Sequence, residues 1–592
     1  MSRPTRAPAV AASVRLCAAF ALAPAAALAQ GAASDAIRLN QVGYYAAAPK
    51  AAVVVDTLAT RFAVVRDGGR GAADTVLTGR LGAPRPWAPS GETVRVADFG
   101  ALRRPGRYRL VVGGVGASHP FDVSDTALRA VARASIKGFY YQRASTPLTA
   151  THAGRWARPA GHPDTAVRVH PSAADARRAA NTLVRSPGGW YDAGDYGKYV
   201  VNSGISTYTL LLLAEQQPAW SASLRTDIPE SGGALPDLLD EALVNLRWML
   251  TMQDSADGGV YHKLTTAEFD PMEMPHADTG ARWVVQKSAA ATLDLAAVAA
   301  HASHLAREYP RALPGLADSL VRAATRAWGW ARLHPDSVYG QRRINERHRP
   351  AVNTGEYGDT ALTDELRWAA AELWLATRQD SFLVAAAPLA SEPARLPGWP
   401  TVATLGLYSL LEHRTALPPR IDTTALRRRL IELADTLVAR RRASPYGVAM
   451  VARDFVWGSS AVAANQGMAL VQAYRLTRDT SYLHAAVATL DYLLGRNAIG
   501  MSFVTGHGAR SPMHPHHRPS EADGVVDPVP GLLAGGPNPA RQDRCEGYPS
   551  TLPAKAYLDH VCSYASNEIA INWNAPLAYL AGAIDAIYSR RR

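Results

Sequence analysis

Cysteine and lysine are scarce in this chain of 592 residues: the cysteines are Cys17, Cys545 and Cys562, and the lysines are Lys50, Lys137, Lys198, Lys263, Lys287 and Lys555. No C-x-x-C pair occurs, and the cysteines alone fall short of the four ligands a structural zinc site needs. Basic residues outnumber acidic ones, with a formal net charge of +12. The excess is scattered arginine, and its only runs are Arg427-Arg428-Arg429, Arg440-Arg441-Arg442 and Arg590-Arg591-Arg592. The first two runs fall in helix-like stretches and read as solvated faces. No nucleic-acid-binding motif accompanies the charge, so no nucleic-acid partner is expected. Beyond the N-terminal region no segment is long and apolar enough to cross a bilayer, so no membrane partner is expected either. A content of 47% hydrophobic and 19% charged residues excludes a disordered solvating chain. The length leaves room for more than one domain and a large core.

The first residues have the pattern of an export signal. Arg3, Arg6 and Arg15 form a basic start, Leu16 to Leu28 is apolar, and Ala27-Leu28-Ala29 offers small residues for cleavage after Ala29. The apolar run falls short of the ~20 residues of a membrane anchor. Cleavage would remove residues 1–29, Cys17 among them, and lower the net charge to about +9. The mature chain would be secreted or periplasmic. There, an even pair such as Cys545 and Cys562 invites a disulfide, with two separate buried thiols as the alternative.

Two patterns of hydrophobicity follow. Over residues 36–124, Ala51–Val55, Thr93–Ala97, Tyr108–Val112 and Phe121–Val123 have strand character. They are separated by turn clusters such as Asp67-Gly68-Gly69 and Arg104-Pro105-Gly106, which suggests a small β-sandwich. From about Ala127 the period becomes helical: Leu238, Leu239, Ala242, Leu243, Leu246, Met249 and Leu250 share one face. Similar stretches recur at 287–301, 316–333, 364–377, 402–413, 421–440, 461–476, 482–494 and 576–588. About a dozen helices without intervening strands point to an all-α layer architecture. Long polar loops at 151–190, 255–283 and 498–555 are where function is expected.

Three segments concentrate the chemistry. Gly188 to Tyr199 holds Asp192 and Asp195, able to converge on one water, among Trp190, Tyr191, Tyr196 and Tyr199, whose rings suit sugar stacking. The same spacing also suits a calcium loop or a capped turn. Ser502 to Arg518 gathers His507, His514, His516, His517, Arg510 and Arg518, which fits hydrogen bonding to hydroxyls better than a metal. Tyr557 to Pro576 includes Tyr564 and Glu568. Pro576 is placed to open the last helix, with Asn574 near its cap. Apolar neighbours around Glu568 favour its protonated form, although a capping role is equally open. A carboxylate pair and a separate, protonated glutamic acid are what glycoside hydrolysis requires.

These segments resemble glycoside hydrolase family 9, the cellulase group with an N-terminal immunoglobulin-like domain. Ile37 to Tyr44 looks like the opening strand of that module, Gly188 to Tyr199 carries its D-A-G-D motif, Ser502 to Arg518 its histidine motif, and Tyr557 to Ala575 the motif of its acid. The resemblance implies a multidomain chain: an Ig-like β-sandwich at 36–124, then an all-α (α/α)6 barrel at 127–592. It implies an inverting enzyme cleaving internal β-1,4-glucosidic bonds of cellulose or a related β-glucan, with no cofactor needed for chemistry. Exo-acting release of cello-oligosaccharide or glucosamine units is the alternative, and a non-catalytic carbohydrate-binding protein is a third. By motif position Asp195 is the general base, Asp192 holds the water and Glu568 is the general acid. His516 and Arg518 contact sugar hydroxyls, and Tyr564 and Tyr196 lie with them, Tyr196 standing where many relatives have His. Trp457, Tyr357, Trp368 and Trp399 are cleft or core aromatics. No catalytic metal is expected. A structural calcium is compatible with the acidic stretch Ile228 to Glu241, which serves equally as helix cap. The chain is expected to be monomeric, and the sandwich to brace the barrel.

Overall fold

The computed structural model describes residues 32–67 and 74–589. The expected signal peptide and the terminal arginine run lie outside the described residues. Strands β1 (Ile37–Arg38), β3 (Ala51–Val54), β7 (Glu92–Asp98) and β6 (Arg85–Trp87) form one sheet in the order β1-β3-β7-β6. The facing sheet runs β2 (Gly43–Tyr44), β10 (Phe121–Val123), β8 (Gly106–Val112), β4 (Arg61–Arg66), β5 (Thr75–Arg80), with β9 (Gly116–Ala117) paired to β8. The strands not foreseen include the edge strands β5 and β6: β5 buries no residue and β6 contains Pro86, so neither carries an alternating signal. Between the sheets Val54, Val64, Leu110 and Val112 pack with an edge-to-face cluster of Tyr44, Phe99 and Phe121.

Among the described residues, twelve of the second unit's helices build a double ring: α1 (Arg129–Tyr141), α2 (Val200–Gln216), α3 (Asp237–Thr251), α4 (Ala289–Glu308), α5 (Leu316–Leu333), α6 (Thr363–Thr377), α7 (Asp380–Ala386), α8 (Ala403–Glu412), α9 (Thr423–Ala443), α10 (Ser459–Thr477), α11 (Thr480–Leu493) and α12 (Ile571–Ser589). The even-numbered helices make the inner ring, and each is backed by an odd-numbered one, α1 closing on α12. This is the (α/α)6 barrel. Inner helices are buried almost all round; α2 is buried at every position but Glu215. Outer helices bury one stripe, as α5 does with Leu320, Ala324, Ala327, Trp330 and Ala331. Arg427 and Arg428 lie on the exposed face of α9. Among the described residues no helix is long and apolar enough to cross a membrane.

Two expectations are corrected. The helical unit is not free of strands: Val167–Val169, Leu183–Val184, Lys198–Tyr199, Lys263–Thr265 and Trp283–Val284 pair into a five-stranded sheet. Long loops crossing a barrel mouth must satisfy their backbone groups, and these segments do so with one another. The last helix also begins before Pro576, at Ile571. Its first N–H groups already have partners there: Ile571 N donates to Asp192 O at 2.8 Å, and Asn574 N donates to Ala570 O at 3.0 Å.

The sandwich and the barrel share a core in which Tyr45, Val53, Trp87 and Val94 pack with barrel residues. Asn40 is the polar centre of that junction. Its Oδ1 accepts the N–H of Val42 and Gly43 at 2.9 and 3.1 Å, and its Nδ2 donates to buried Asp491 at 2.9 Å. Glu92 receives Arg38 at 2.8 Å, Tyr446 at 2.5 Å and Lys555 at 2.6 Å. Asn40→Ala leaves Asp491 short of a donor, at a cost of about 1–3 kcal/mol. Its melting temperature is expected to fall by several degrees while the product pattern stays that of the wild type; a changed pattern at unchanged melting would contradict the bracing role.

Candidate active site

Segments leading into the inner helices carry the candidate residues. Tyr199 precedes α2, Tyr357 precedes α6, Trp399 precedes α8, Trp457 precedes α10 and Glu568 precedes α12. The three motifs meet through backbone contacts. A Cβ on Gly194 would collide with the His516 carbonyl, so only glycine lets the D-A-G-D loop lie against the histidine segment. Arg518 Nη1 donates to Gly194 O at 2.7 Å. His516 N donates to Asn567 O at 2.9 Å, and His516 and Glu568 are bridge partners. Asp559 accepts Met513 N and His514 N at 2.8 and 2.9 Å, together with Asn567 Nδ2 at 2.9 Å.

The fold therefore brings Asp192, Asp195 and Glu568 together, each in a different setting. Asp192 is 2% exposed; its Oδ2 accepts the Tyr357 hydroxyl at 2.6 Å and its Oδ1 accepts Asn202 Nδ2. Asp195 Oδ2 accepts Gly197 N and the Tyr199 hydroxyl, both at 3.0 Å. Glu568 is half-buried. Burial, and then the charges of Asp195 and Asp192, push its carboxyl well above the ordinary glutamate range, opposed by Arg518 and the Gly194 N–H. Burial and the Asp195 charge also raise Asp192, against the two donors that favour its ionised form. Such a setting favours the protonated form of Glu568.

His516 Nδ1 lies 2.6 Å from Val561 O. A carbonyl only accepts, so Nδ1 carries the hydrogen and Nε2 is left as an acceptor; burial lowers the ring's pKa and keeps it neutral. A row of rings continues outward, with Tyr564 at 5.7 Å from His516 and Trp457 at 5.3 Å from Tyr564. Trp457 is 41% exposed. Tyr199, Tyr357 and Trp399 make a second row at 4.9 and 5.2 Å.

Other expected residues lie elsewhere. Tyr196, expected at the substrate, is fully buried: its hydroxyl donates to Glu273 O at 2.5 Å and its ring packs on Tyr191 and His162. Trp368 is a core residue of α6, edge-on to Tyr208. Arg518 is buried, with Nε and Nη2 on Asp270 O at 2.9 and 2.7 Å, so its guanidinium braces the D-A-G-D loop. Asn202 and the hydroxyls of Tyr199 and Tyr357 were not foreseen as carboxylate partners; the one available signal was an asparagine two residues into a helix that is buried at nearly every position.

The expected calcium stretch is otherwise engaged. Glu230 and Glu241 pair with Arg143 at 2.9 and 2.8 Å, and Asp237 accepts Thr226 N at 2.6 Å and Ser231 Oγ at 2.6 Å. Near Asp175, Asp254 and Asp257, Lys287 already supplies the cation, at 2.7 Å from Asp254 and 2.8 Å from Asp257. A different cluster gathers buried carboxyl groups. Asp294 and Glu365 are buried with both carboxylate oxygens lacking a hydrogen-bond partner, and so is Asp359 Oδ2. Asp359 and Asp364 act on these two groups through their charge.

An immunoglobulin-like module followed by a helical barrel, with an aspartate pair and a half-buried glutamic acid at its mouth, defines a glycoside hydrolase. The family description "Glycosyl hydrolase family 9" matches residues 129–581, and "Cellulase N-terminal ig-like domain" matches residues 32–117. The chain belongs to glycoside hydrolase family 9. It is 44% identical over 559 residues to a xyloglucan-specific endo-β-1,4-glucanase of Bacteroides ovatus, covering 94% of each chain. Endoglucanase D of Acetivibrio thermocellus is 32% identical over 557 residues, covering 93% of this chain and 83% of that protein. The solved structure of a Bacteroides ovatus family 9 protein superposes with a TM-score of 0.88 at 42% identity, over 94% of this chain and 99% of that one.

Tyr357→Phe removes one donor from Asp192 and keeps the ring. A hydrogen bond to a charged group contributes about 1.5–3 kcal/mol, so kcat is expected to fall roughly 10- to 150-fold with KM little changed. An unaltered kcat would show that the Asp192–Tyr357 bond is idle in the reaction.

Proposed function

We propose that this chain is an exported endo-acting hydrolase of β-1,4-glucans that inverts the anomeric centre. The observation carrying this reading is the placement of Glu568, half-buried and beside the Asp192–Asp195 pair, a setting that favours its protonated form. Glu568 gives its proton to the departing glycosidic oxygen as the C1–O bond breaks. A water held by Asp192 and Asp195 attacks C1 from the opposite face, and its proton passes to Asp195. Inversion needs the acid and base about 6.5–9.5 Å apart, to admit that water. His516 Nε2 accepts from a sugar hydroxyl, and Trp457, Tyr564 and Trp399 offer faces for the pyranose rings. Arg518 holds the D-A-G-D loop and sets its charge beside Glu568, and Tyr196 acts on the substrate only through the loop it holds. Export is supported by the basic-apolar leader and by a disulfide linking Cys545 and Cys562.

The 44% relative is named for xyloglucan, so a substituted β-1,4-glucan heads the substrate range, with plain cellulose and mixed-linkage glucan behind it. The test is a product profile on xyloglucan, carboxymethyl cellulose, lichenan and chitosan, with NMR of the first anomer released. Internal cleavage of a glucan giving α-configured new ends is expected. A β-configured product would overturn inversion, and terminal release of single sugars would favour the exo reading. The Glu568 proton sets the alkaline side of the profile. Activity should be present below the raised pKa and lost as pH climbs through it, so the alkaline limb should lie well above pH 4.5, the ordinary glutamate value.

A further inference from the structure

The bridge between Cys545 and Cys562 spans 17 residues of sequence, with Cα atoms 5.9 Å apart. Its surroundings are not those of a core staple. Cys562 is exposed and Cys545 only half-buried, and no residue from 541 to 553 is buried. This segment has no hydrophobic packing of its own to hold it in place. It nevertheless supports the substrate-facing rings. Gln542 O accepts the Tyr564 hydroxyl at 3.1 Å. Asp543 Oδ2 accepts Ala565 N at 2.9 Å and the Tyr548 hydroxyl at 2.7 Å, and that hydroxyl also meets Ser563 Oγ at 2.7 Å. On the other strand of the bridge, Val561, next to Cys562, provides the carbonyl that fixes the His516 ring at 2.6 Å. Cys562 thus sits between the two contacts, at Val561 and Tyr564, that set the orientation of His516 and Tyr564.

We propose that the Cys545–Cys562 disulfide is a positioning element of the substrate site, and that opening it weakens glycan binding without unfolding the barrel. The inference rests on the reading of His516 and Tyr564 as sugar-contacting residues. Few buried contacts hold segment 541–553, so its order depends on the covalent link and on a handful of hydrogen bonds at the surface. With the link open, Gln542 and Asp543 no longer stand at fixed positions beneath Tyr564, and the turn at Val561 is free to release the His516 N–H. The D-A-G-D loop that holds Asp192 and Asp195 and the helix that holds Asn202 are buried and fixed by their own hydrogen bonds, so the chemical step is affected less than binding.

The test compares oxidised wild type, wild type reduced with dithiothreitol, the same protein after reoxidation, and Cys545→Ser/Cys562→Ser. Reduction transfers two electrons from the dithiol, which closes to its cyclic disulfide and leaves both cysteines as thiols; thiol counting by mass spectrometry verifies each state. Steady-state kinetics use xyloglucan oligosaccharide and cellohexaose, well below the melting temperature. The expected result is a KM about tenfold higher in the reduced and double-serine proteins, the equivalent of roughly one lost hydrogen bond, with kcat changed less than about threefold. Reoxidation should restore KM, and dithiothreitol should leave the double-serine protein unaffected. A purely structural bridge would lower melting without moving KM, and that outcome overturns the proposal, as does an equal dithiothreitol effect on the double-serine protein. Should that variant fail to fold, reversible reduction of the wild type decides alone. An oxidised wild type that cleaves no β-1,4-glucan would instead count against the functional reading.

Discussion

Three carboxyl groups desolvated around one small pocket are the constraint on which the rest of the structure depends. Like charges so placed cannot all ionise without large cost, and the surrounding groups decide where the proton rests. Asp192 has the Tyr357 hydroxyl and the Asn202 amide, and Asp195 has the Tyr199 hydroxyl and the Gly197 N–H. Glu568 has a single backbone donor and a distant guanidinium set against two negative neighbours. We propose that this unequal supply of donors separates the acid, Glu568, from the base, Asp195. The reaction needs both at once.

Keeping that pocket in register calls for a rigid frame. The inner helices supply it by burying nearly their whole circumference, and the segments entering them carry the working residues. Contacts at Gly194, Asn567 and Ile571 then join three motifs widely separated in sequence. Arg518 belongs to this frame, since its donors are taken by Gly194 and Asp270 carbonyls. The sandwich adds a further brace through Asn40 and Glu92, which tie its first and seventh strands to the barrel's last loops and outer helices. The exposed segment 541–553 is the exception: it lies at the substrate side yet has no core, and its covalent link takes the place of packing.

Much of this was legible in the sequence where a signal was local. Helices with one apolar stripe, such as α3 and α5, stood out by their period. α2 did not, because a helix buried all round, with small polar residues among its apolar ones, has no contrast between faces. Strands β3, β7, β8 and β10 alternate or run apolar and were visible, whereas β5 and β6 lie at sheet edges. The three acids were found through compact motifs, but their partners Asn202 and Tyr357 come from other parts of the chain, and only folding brings them near. Tyr196 illustrates the converse error: adjacency to Asp195 suggested contact with substrate, yet the turn sends its ring into the protein. Pro576 misled because the helix start is set by Asp192 O and Ala570 O, partners that no cap motif announces.

The central claim is that Glu568 donates the proton that the leaving group requires. The most direct measurement is the rate of glycosidic cleavage across aryl β-cellotriosides of graded leaving-group acidity, for the wild type and for Glu568→Gln. The account predicts that the variant loses most on poor leaving groups and little on the most acidic phenols, giving a much steeper dependence than the wild type. An equal loss across the whole series would place the proton donor elsewhere and contradict the account.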